Sequence, residues 1–243
     1  MSPPRGAPSV TRNYITVYVN KRKDKKMKII EPSFEILTPF NEGIFHLEAC
    51  ARTCYKSESD GTQEKAKDLI RKIMKRGHES VIEHVSMSVR IVCDRGVSHE
   101  IVRHRLASYS QESTRYCNYG KEDHIKFIKP CFFPELPIGV CVPEDDYTYL
   151  PDASHTWLSS MFFAEKDYNK MLENGCSPQE ARSVLPNSLK TEIVMTANCR
   201  EWRHFFRLRT AKAAHPQMRE IARPMLDAFK NLVPVLFDDI NYE

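Results

Sequence analysis

Residues 85–93 read VSMSVRIVC, and this short stretch determines the class of fold. Apolar side chains occupy every second position, which is the period of a strand with one buried face. Upstream, Thr62 to Arg76 carries apolar residues three and four apart and is followed by Gly77, which predicts an amphipathic helix that ends there. A half-buried strand between helices indicates an α/β or α+β domain.

Further elements are predicted downstream of this strand. A short helix is expected from about Val97 through Arg103, so that residues 103–115 begin at a helix end and continue into a loop. More helices are predicted at 154–174, from Ser177 to near Pro186, at about 199–210 and at 216–231. Residues 189–197 alternate weakly, which indicates another strand. Because no repeat or internal boundary interrupts 27–243, we expect this region to form one domain.

The first 26 residues differ from the rest of the chain in composition. They contain seven Lys or Arg and one Asp among turn-forming residues, so we expect no packed structure there. We expect a tag or an over-extended reading frame before Met27 to be the source of this segment, and an arm that binds nucleic acid is the alternative. Deleting 1–26 is expected to leave activity intact. The remaining chain holds 29 basic and 31 acidic residues, so no nucleic-acid partner is expected.

Composition also bears on the location and on metals. No apolar run approaches the roughly 20 residues of a bilayer-spanning helix, and no secretory signal is evident, so we expect a cytoplasmic protein with no membrane partner. Eight cysteines without a C-x-x-C pair favour free thiols. No metal site is predicted, because the histidine pairs do not have the four-residue spacing of a zinc-binding helix. Those pairs are His78 with His84 and His99 with His104.

The glycines restrict how an anionic ligand could be bound. From Gly43 onward no two glycines lie within fifteen residues of each other, so neither a G-x-G-x-x-G motif nor a P-loop is present. Phosphates would therefore have to be bound by side chains, and guanidinium groups with serine hydroxyls are the suitable donors.

Two segments supply such donors. Residues 103–115 read RHRLASYSQESTR, and residues 197–209 read ANCREWRHFFRLR. In the second segment Arg200 and His204 are four apart and share a helical face, while Trp202, Phe205 and Phe206 would pack the helix into the core. A solvated basic turn is the alternative interpretation of residues 103–115.

Ser113 and Cys131 are two candidate nucleophiles. Ser113 lacks the glycines of a nucleophile elbow. Cys131 as an attacking thiolate remains an alternative, although nothing else near it supports that role.

The sequence resembles the flavin-dependent thymidylate synthases. The resemblance lies in a motif formed by Arg103, His104, Arg105, Ser108, Ser113 and Arg115. It extends to the G-H-E-x-x-x-E-H segment at 77–84, the A-R-x-x-L-P segment at 181–186, residues 198–209 and A-H-P-Q at 214–217. It covers nearly all of 27 to about 230 and implies a single domain with a central mixed or antiparallel sheet flanked by helices.

This resemblance implies reductive methylation of dUMP to dTMP. Methylenetetrahydrofolate would supply the carbon, NADPH the reducing equivalents, and FAD would carry them. It also implies a homotetramer whose flavin sites take residues from several subunits. A related flavin-dependent pyrimidine nucleotide methylase or hydroxymethylase is the first alternative. A nucleic-acid-binding module that uses the basic tail is the second.

The resemblance assigns roles residue by residue. The flavin and cofactor site would be lined by His78, Ser80, Arg103, His104, Arg105, Gln111, Asn198, Arg200 and His204. The dUMP site would include Glu100, Arg103, Gln111, Glu112, Ser113, Thr114, Arg115, Arg182 and Arg209. Arg209 would be catalytic, as a fixed cation that stabilises negative charge on the uracil. Many members of the family have Asn-Glu where this chain has Ser110 and Gln111, which removes a carboxylate from a ligand-facing position.

Overall fold

A computed structural model describes residues 27–38, 40, 42–59, 61–122, 124–143 and 145–242. The predictions for the first 26 residues lie outside this range. In the described residues the chain forms seven strands: β1 (Met27–Ile30), β2 (Ser33–Ile36), β3 (Ser86–Asp94), β4 (Ala107–Gln111), β5 (Lys126–Ile128), β6 (Gly139–Cys141) and β7 (Lys190–Asn198). The α-helices are α1 (Gly43–Tyr55), α2 (Gln63–Lys75), α3 (Arg95–Ile101), α4 (Asp152–Glu173), α5 (Pro178–Ala181), α6 (Cys199–Arg209), α7 (Pro216–Leu232) and α8 (Pro234–Phe237).

A four-stranded antiparallel sheet, in the order β2-β3-β7-β4, forms the centre of the domain. Its β3 strand is the alternating stretch that suggested the fold class. The register between β3 and β7 pairs Met87 with Ala197, Val89 with Met195, and Ile91 with Ile193. These apolar side chains are buried, so one face of the sheet packs on the main core.

The aromatic residues of α6 fill that core, as the sequence predicted. Trp202, Phe205 and Phe206 are completely buried, and the ring centroids of Trp202 and Phe206 are 5.7 Å apart. Phe229 of α7 lies 5.2 Å from Trp202. Side chains of this size each contribute roughly 1.5–3 kcal/mol on burial, so they fix α6 and the polar residues it carries.

A second, three-stranded mixed sheet lies beside the first and was not predicted. Its order is β5-β1-β6, with β1 parallel to β5 and antiparallel to β6. Helix α4 packs on it through Leu158, Met161 and Tyr168, which are buried in a separate apolar cluster. The expected class, helices around a central mixed or antiparallel sheet, is therefore confirmed, with two sheets where one was expected.

Several predicted elements are confirmed with small shifts at their ends. Helix α2 begins after Thr62, and Gly77 follows it with φ of +75°, a conformation that glycine adopts without strain. Helix α3 starts two residues earlier than predicted because Asp94 caps it, and it ends two residues earlier, at Ile101. The helix predicted from Ser177 continues beyond α5 only as a 3-10 turn, Arg182–Val184.

The prediction that residues 103–115 form a loop was wrong in part, because β4 lies inside this segment. Ala107 and Tyr109 face the core while Ser108 and Ser110 are exposed. Small polar residues on the exposed face conceal the strand period in the sequence. Backbone pairing with β7 is what makes this edge strand.

The cysteines and the lengths of the helices are two further features of the described chain. All eight cysteines are free thiols, as predicted. Within the described part of the chain, no helix is both long and apolar enough to cross a bilayer.

Candidate active site

A pocket of about 580 Å³ opens at the C-terminal end of α3. Its lining consists of Val102 and four of the predicted site residues, which are Glu100, Arg103, Arg105 and Arg209. Helix α3 and the turn after it supply all of these except Arg209, which is the last residue of α6. The pocket therefore joins the two polar segments that the sequence singled out.

Arg209 is held in this pocket by three hydrogen bonds. Its Nε donates to His104 Nε2 at 3.0 Å, Nη1 donates to Glu100 Oε2 at 2.9 Å, and Nη2 donates to the Glu100 carbonyl at 2.9 Å. A guanidinium has five N–H donors, so each Nη keeps one N–H that these bonds do not use. Those two donors can meet a carbonyl or phosphate oxygen of a ligand.

His104 is buried behind Arg209 and is only 4% exposed. Its Nδ1 lies 3.0 Å from Glu201 Oε1, and its ring packs 4.9 Å from that of Phe205. Burial lowers the pKa of His104, with Arg209 adding to that effect and Glu201 opposing it. The imidazole is therefore neutral at physiological pH.

Tyr109 of β4 fixes the backbone of the Arg103–Arg105 turn. Its hydroxyl lies 2.6 Å from the carbonyl oxygen of His104 and 2.9 Å from that of Ile101. Burial raises the pKa of Tyr109 to about 12, so the phenol stays protonated and can donate. This contact connects the strand to the turn and orients the arginines on either side of His104.

Arg103 and Arg105 themselves are exposed. Among the described residues neither guanidinium forms an ion pair, in contrast to Arg209. Two free guanidiniums beside a pocket suit a diphosphate group, which takes charge-assisted hydrogen bonds from such donors. The residues present therefore fit the diphosphate of a dinucleotide such as FAD.

The segment that carries His78 and Ser80 packs against α6. It forms a 3-10 helix, Glu79–His84, and Arg200 bridges to it through Glu83 at 2.5 Å and Glu79 at 3.8 Å. The hydrogen bond to Glu83 raises the pKa of Arg200. His78 and Ser80 are exposed, so the segment presents both side chains to solvent next to the α6 face.

Asn198 and His204 lie on the same helix. The Asn198 side chain caps α6 by accepting from the Glu201 N–H at 2.9 Å. His204 is exposed, and its ring centroid is 5.6 Å from that of His104.

The predicted dUMP residues at the end of β4 and just after it do not line this pocket. Gln111 and Glu112 line a second pocket of about 340 Å³. Gln111 Nε2 donates to Ser98 Oγ at 2.9 Å, and Glu112 accepts from Tyr119 at 2.7 Å and from Lys190 at 2.8 Å. Both side chains are therefore engaged inside the chain.

The rest of that loop is arranged around Arg182. Arg182 donates to Thr114 Oγ1 at 3.0 Å, and the Ser113 hydroxyl accepts from the Arg115 N–H at 3.3 Å. Arg115 is exposed beside Tyr116, with its guanidinium 5.4 Å from the ring centroid. A single chain thus brings Arg103, Arg105, Glu100 and Arg209 together at one pocket, which neither the 111–115 segment nor Arg182 lines.

Sequence reasoning missed Glu201 and Tyr109. Glu201 stands three residues after Asn198, the position at which an acid belongs to a helix cap, and that spacing was its only signal. Tyr109 was concealed because β4 was assigned to a loop.

Three side chains of types that can bind a metal ion lie close together here. They are not the histidine pairs, His78 with His84 and His99 with His104, that the sequence analysis tested for zinc binding. Atoms of His104, Glu201 and His204 lie within 4.8 Å of one another. The Nε2 lone pair of His104 accepts from Arg209, and the nearby guanidinium repels a cation. We therefore interpret His104 and Glu201 as a hydrogen-bonded pair, with the His204 ring packed beside it.

Fold and pocket together define a domain that presents clustered guanidiniums to an anionic ligand without a glycine-rich loop. The family model described as "Thymidylate synthase complementing protein" matches residues 40–235. A flavin-dependent thymidylate synthase from Geobacter sulfurreducens is 36% identical over 197 residues, which are 78% of this chain and 78% of that protein. Another from Pyrococcus horikoshii is 36% identical over 169 residues, 68% of this chain and 64% of that protein.

A solved structure shares the fold. It is the UMP/dUMP methylase PolB from Streptomyces cacaoi bound with 5-Br dUMP, with a TM-score of 0.68 and 24% identity, covering 87% of this chain and 96% of that one. The chain belongs to the flavin-dependent thymidylate synthase family. The predicted family, fold class and enzyme class are thereby confirmed.

Proposed function

We propose that this enzyme converts dUMP to dTMP by reductive methylation, with methylenetetrahydrofolate as carbon donor and NADPH as reductant. The observation that carries the proposal is Arg209, held by His104 and Glu100 at a pocket lined by Arg103 and Arg105. In a member of this family, that arrangement offers one oriented cation for the pyrimidine and two free cations for a dinucleotide.

Arg209 would act as a fixed cation. The N–H groups of Nη1 and Nη2 that remain free would donate to a uracil carbonyl and stabilise negative charge that develops on the ring. Because Glu100 and His104 hold the guanidinium before the nucleotide binds, little reorganisation is needed at the reacting stage. Glu100 would complete the substrate side of the pocket.

FAD, when bound, supplies the hydride chemistry that links NADPH to the pyrimidine. Arg103 and Arg105 would hold its diphosphate, and Ser80, Asn198, Arg200 and His204 would line the rest of its site with His78 at the open side. His104 uses both ring nitrogens within the chain, so its contribution would be to orient its neighbours. Arg200 would exchange its contact with Glu83 for the flavin.

We propose a homotetramer in which the 111–115 loop of one subunit completes the pocket of another. Gln111, Glu112, Ser113, Thr114, Arg115 and Arg182 would then contact dUMP, with Gln111 also near the cofactor. The support is that none of these residues lines the pocket that contains Arg209 in the single chain. In addition, Leu106 and Tyr116, which flank β4, are 75% and 79% exposed in the single chain, as expected for surfaces that a partner covers. A cytoplasmic location is part of the same proposal and is supported by the eight free thiols.

The test is chemical. Purified protein supplied with FAD, NADPH and methylenetetrahydrofolate should release tritium from dUMP labelled at C5 and form dTMP. A parallel reaction with UMP distinguishes a pyrimidine methylase of other specificity. A colourless protein that binds nucleic acid in a salt-sensitive way, with no tritium release, would contradict the proposal.

A further inference from the structure

Glu201, His104 and Arg209 form a continuous hydrogen-bonded series in the interior of the site. Glu201 Oε1 lies 3.0 Å from His104 Nδ1, and His104 Nε2 lies 3.0 Å from Arg209 Nε. The side chains of His104 and Glu201 are 3% and 7% exposed, so water does not compete strongly for these contacts. The series ends at the guanidinium that lines the pocket.

The chemistry of arginine fixes the protonation of this series. Arginine has donors and no acceptor, so His104 Nε2 must present a lone pair to Arg209 Nε. The histidine proton must then be on Nδ1, where it points at the Glu201 carboxylate. The opposite tautomer would place two N–H groups against each other at Arg209 and leave Glu201 facing a lone pair.

An ordinary capping role does not account for Glu201. An acid at this position of a helix commonly reaches back to the N–H of the capping residue. Here the Asn198 side chain caps the Glu201 N–H, and the Glu201 carboxylate turns to His104 instead. Its direction is therefore set by the histidine and not by the helix end.

We propose that Glu201 is a positioning residue: it selects the Nδ1–H tautomer of His104, and His104 thereby aims the Arg209 guanidinium into the pocket. This inference rests on the proposed function, because it acts through Arg209. It adds a residue that the family resemblance did not assign to the site. This role requires a hydrogen-bond acceptor at position 201 more than it requires a negative charge there.

The substitutions that separate these requirements are Glu201→Gln and Glu201→Leu. Glutamine keeps an acceptor for Nδ1–H without charge, whereas leucine has similar volume and no acceptor. We expect E201Q to keep kcat within about fivefold of wild type and E201L to lose about 100-fold in kcat, with a smaller change in the KM for dUMP. Glu165→Gln, at a buried glutamate of α4, is the matched control and should behave like wild type.

Two readouts distinguish positioning from general damage. In the Arg209→Lys background the Nε donor is absent, so adding E201L should lower kcat less than about threefold further. Crystal structures of the flavin-loaded variants should keep the contact from Arg209 Nε to His104 Nε2 in E201Q and lose it in E201L. Flavin content and thermal midpoint confirm that each variant is folded.

The outcomes separate this inference from the proposed function. No dTMP formation by wild type would overturn the proposed function, while the crystal structures would still test the aim of Arg209. An active wild type with E201L of normal kcat, or with Arg209 unmoved in the E201L crystal, would overturn the role of Glu201. An equal loss from E201L in the wild-type and Arg209→Lys backgrounds would do so as well.

Discussion

Arg209 and Glu100 are joined twice, once through the glutamate side chain and once through its backbone carbonyl, each at 2.9 Å. The backbone contact ties the end of α6 to the end of α3, so the guanidinium is located by the fold itself. The side-chain contact adds an opposite charge that is 36% exposed. The backbone carbonyl of Glu100 thus helps to fix the position of the Arg209 guanidinium, and the Glu100 carboxylate places a negative charge beside it.

Replacing Arg209 should therefore damage turnover more than folding. Arg209→Ala is expected to lower kcat by about 10²–10³-fold while FAD stays bound, because one preorganised cation is lost. Tritium release measures kcat, and the visible spectrum measures flavin content. Near-normal turnover in this variant would remove Arg209 from its proposed role.

Glu100 should matter less than Arg209. Because its carboxylate is partly exposed and the backbone contact survives substitution, Glu100→Leu should lower kcat/KM for dUMP by about tenfold. Steady-state kinetics with varied dUMP measure this. Glu35→Gln, which removes the charge from an exposed pair with Arg90, is the control and should have no effect. Equal kinetics of the two variants would contradict the role of Glu100.

The free guanidiniums should govern flavin retention. Arg103→Gln combined with Arg105→Gln is expected to give protein that purifies with less than about a tenth of the wild-type FAD, because the two proposed charge-assisted contacts to the diphosphate would be lost. The ratio of flavin absorbance to protein absorbance reports this directly. Arg71→Gln, from an exposed ion pair with Asp68 on α2, should retain the flavin. If the double variant stays fully yellow, other residues hold the diphosphate.

A cysteine nucleophile should be dispensable. Burial raises the pKa of Cys131, with the nearby Glu220 adding to the effect, so this thiol is not activated. Cys131→Ala should keep kcat within about twofold of wild type. Abolished tritium release in this variant would restore the thiolate mechanism.

Acid should weaken one anchor of the C-terminal segment. Buried Arg203 donates to both carboxylate oxygens of Asp239 at 2.6 Å, and those hydrogen bonds lower the pKa of Asp239. A lowered folded-state pKa stabilises the fold above the unfolded value, near pH 4, and this contribution disappears as pH falls through the folded pKa.

Asp239→Asn should accordingly lower the thermal midpoint by about 2–4 °C at pH 7, for a loss of ~1 kcal/mol in a partly exposed pair. The difference from wild type should shrink as the pH falls below about 4. Calorimetry across that pH range provides the test. A difference in thermal midpoint between the two proteins that grows in acid would contradict the predicted direction.

The parts of the fold that the sequence predicted are those with strong periodicity. Strand β3 and helices α2 and α6 each bury a regular apolar face, so their patterns were visible. Strand β4 was not predicted, because its exposed positions are serines and because it pairs with β7, a strand far along the chain that it meets only in the folded protein. The short strands β1, β5 and β6 depend in the same way on partners far along the chain.

The candidate site likewise contains residues that the sequence predicted and residues that it did not. The arginines were predicted because their residue type and family motif point to anion binding. Glu201 was not, because its significance depends on His104, 97 residues away in the chain. Nor could the sequence show that Glu112 would be held by Tyr119 and Lys190, since those contacts exist only in the fold.

One titration tests the central claim that side-chain guanidiniums bind a uridylate beside the flavin. Addition of dUMP to the oxidised, fully flavin-loaded enzyme should produce a saturable change in the flavin absorbance spectrum, and Arg209→Ala should weaken that binding by at least about tenfold. A fully loaded wild-type protein whose spectrum and equilibrium dialysis both show no uptake of dUMP would contradict the account.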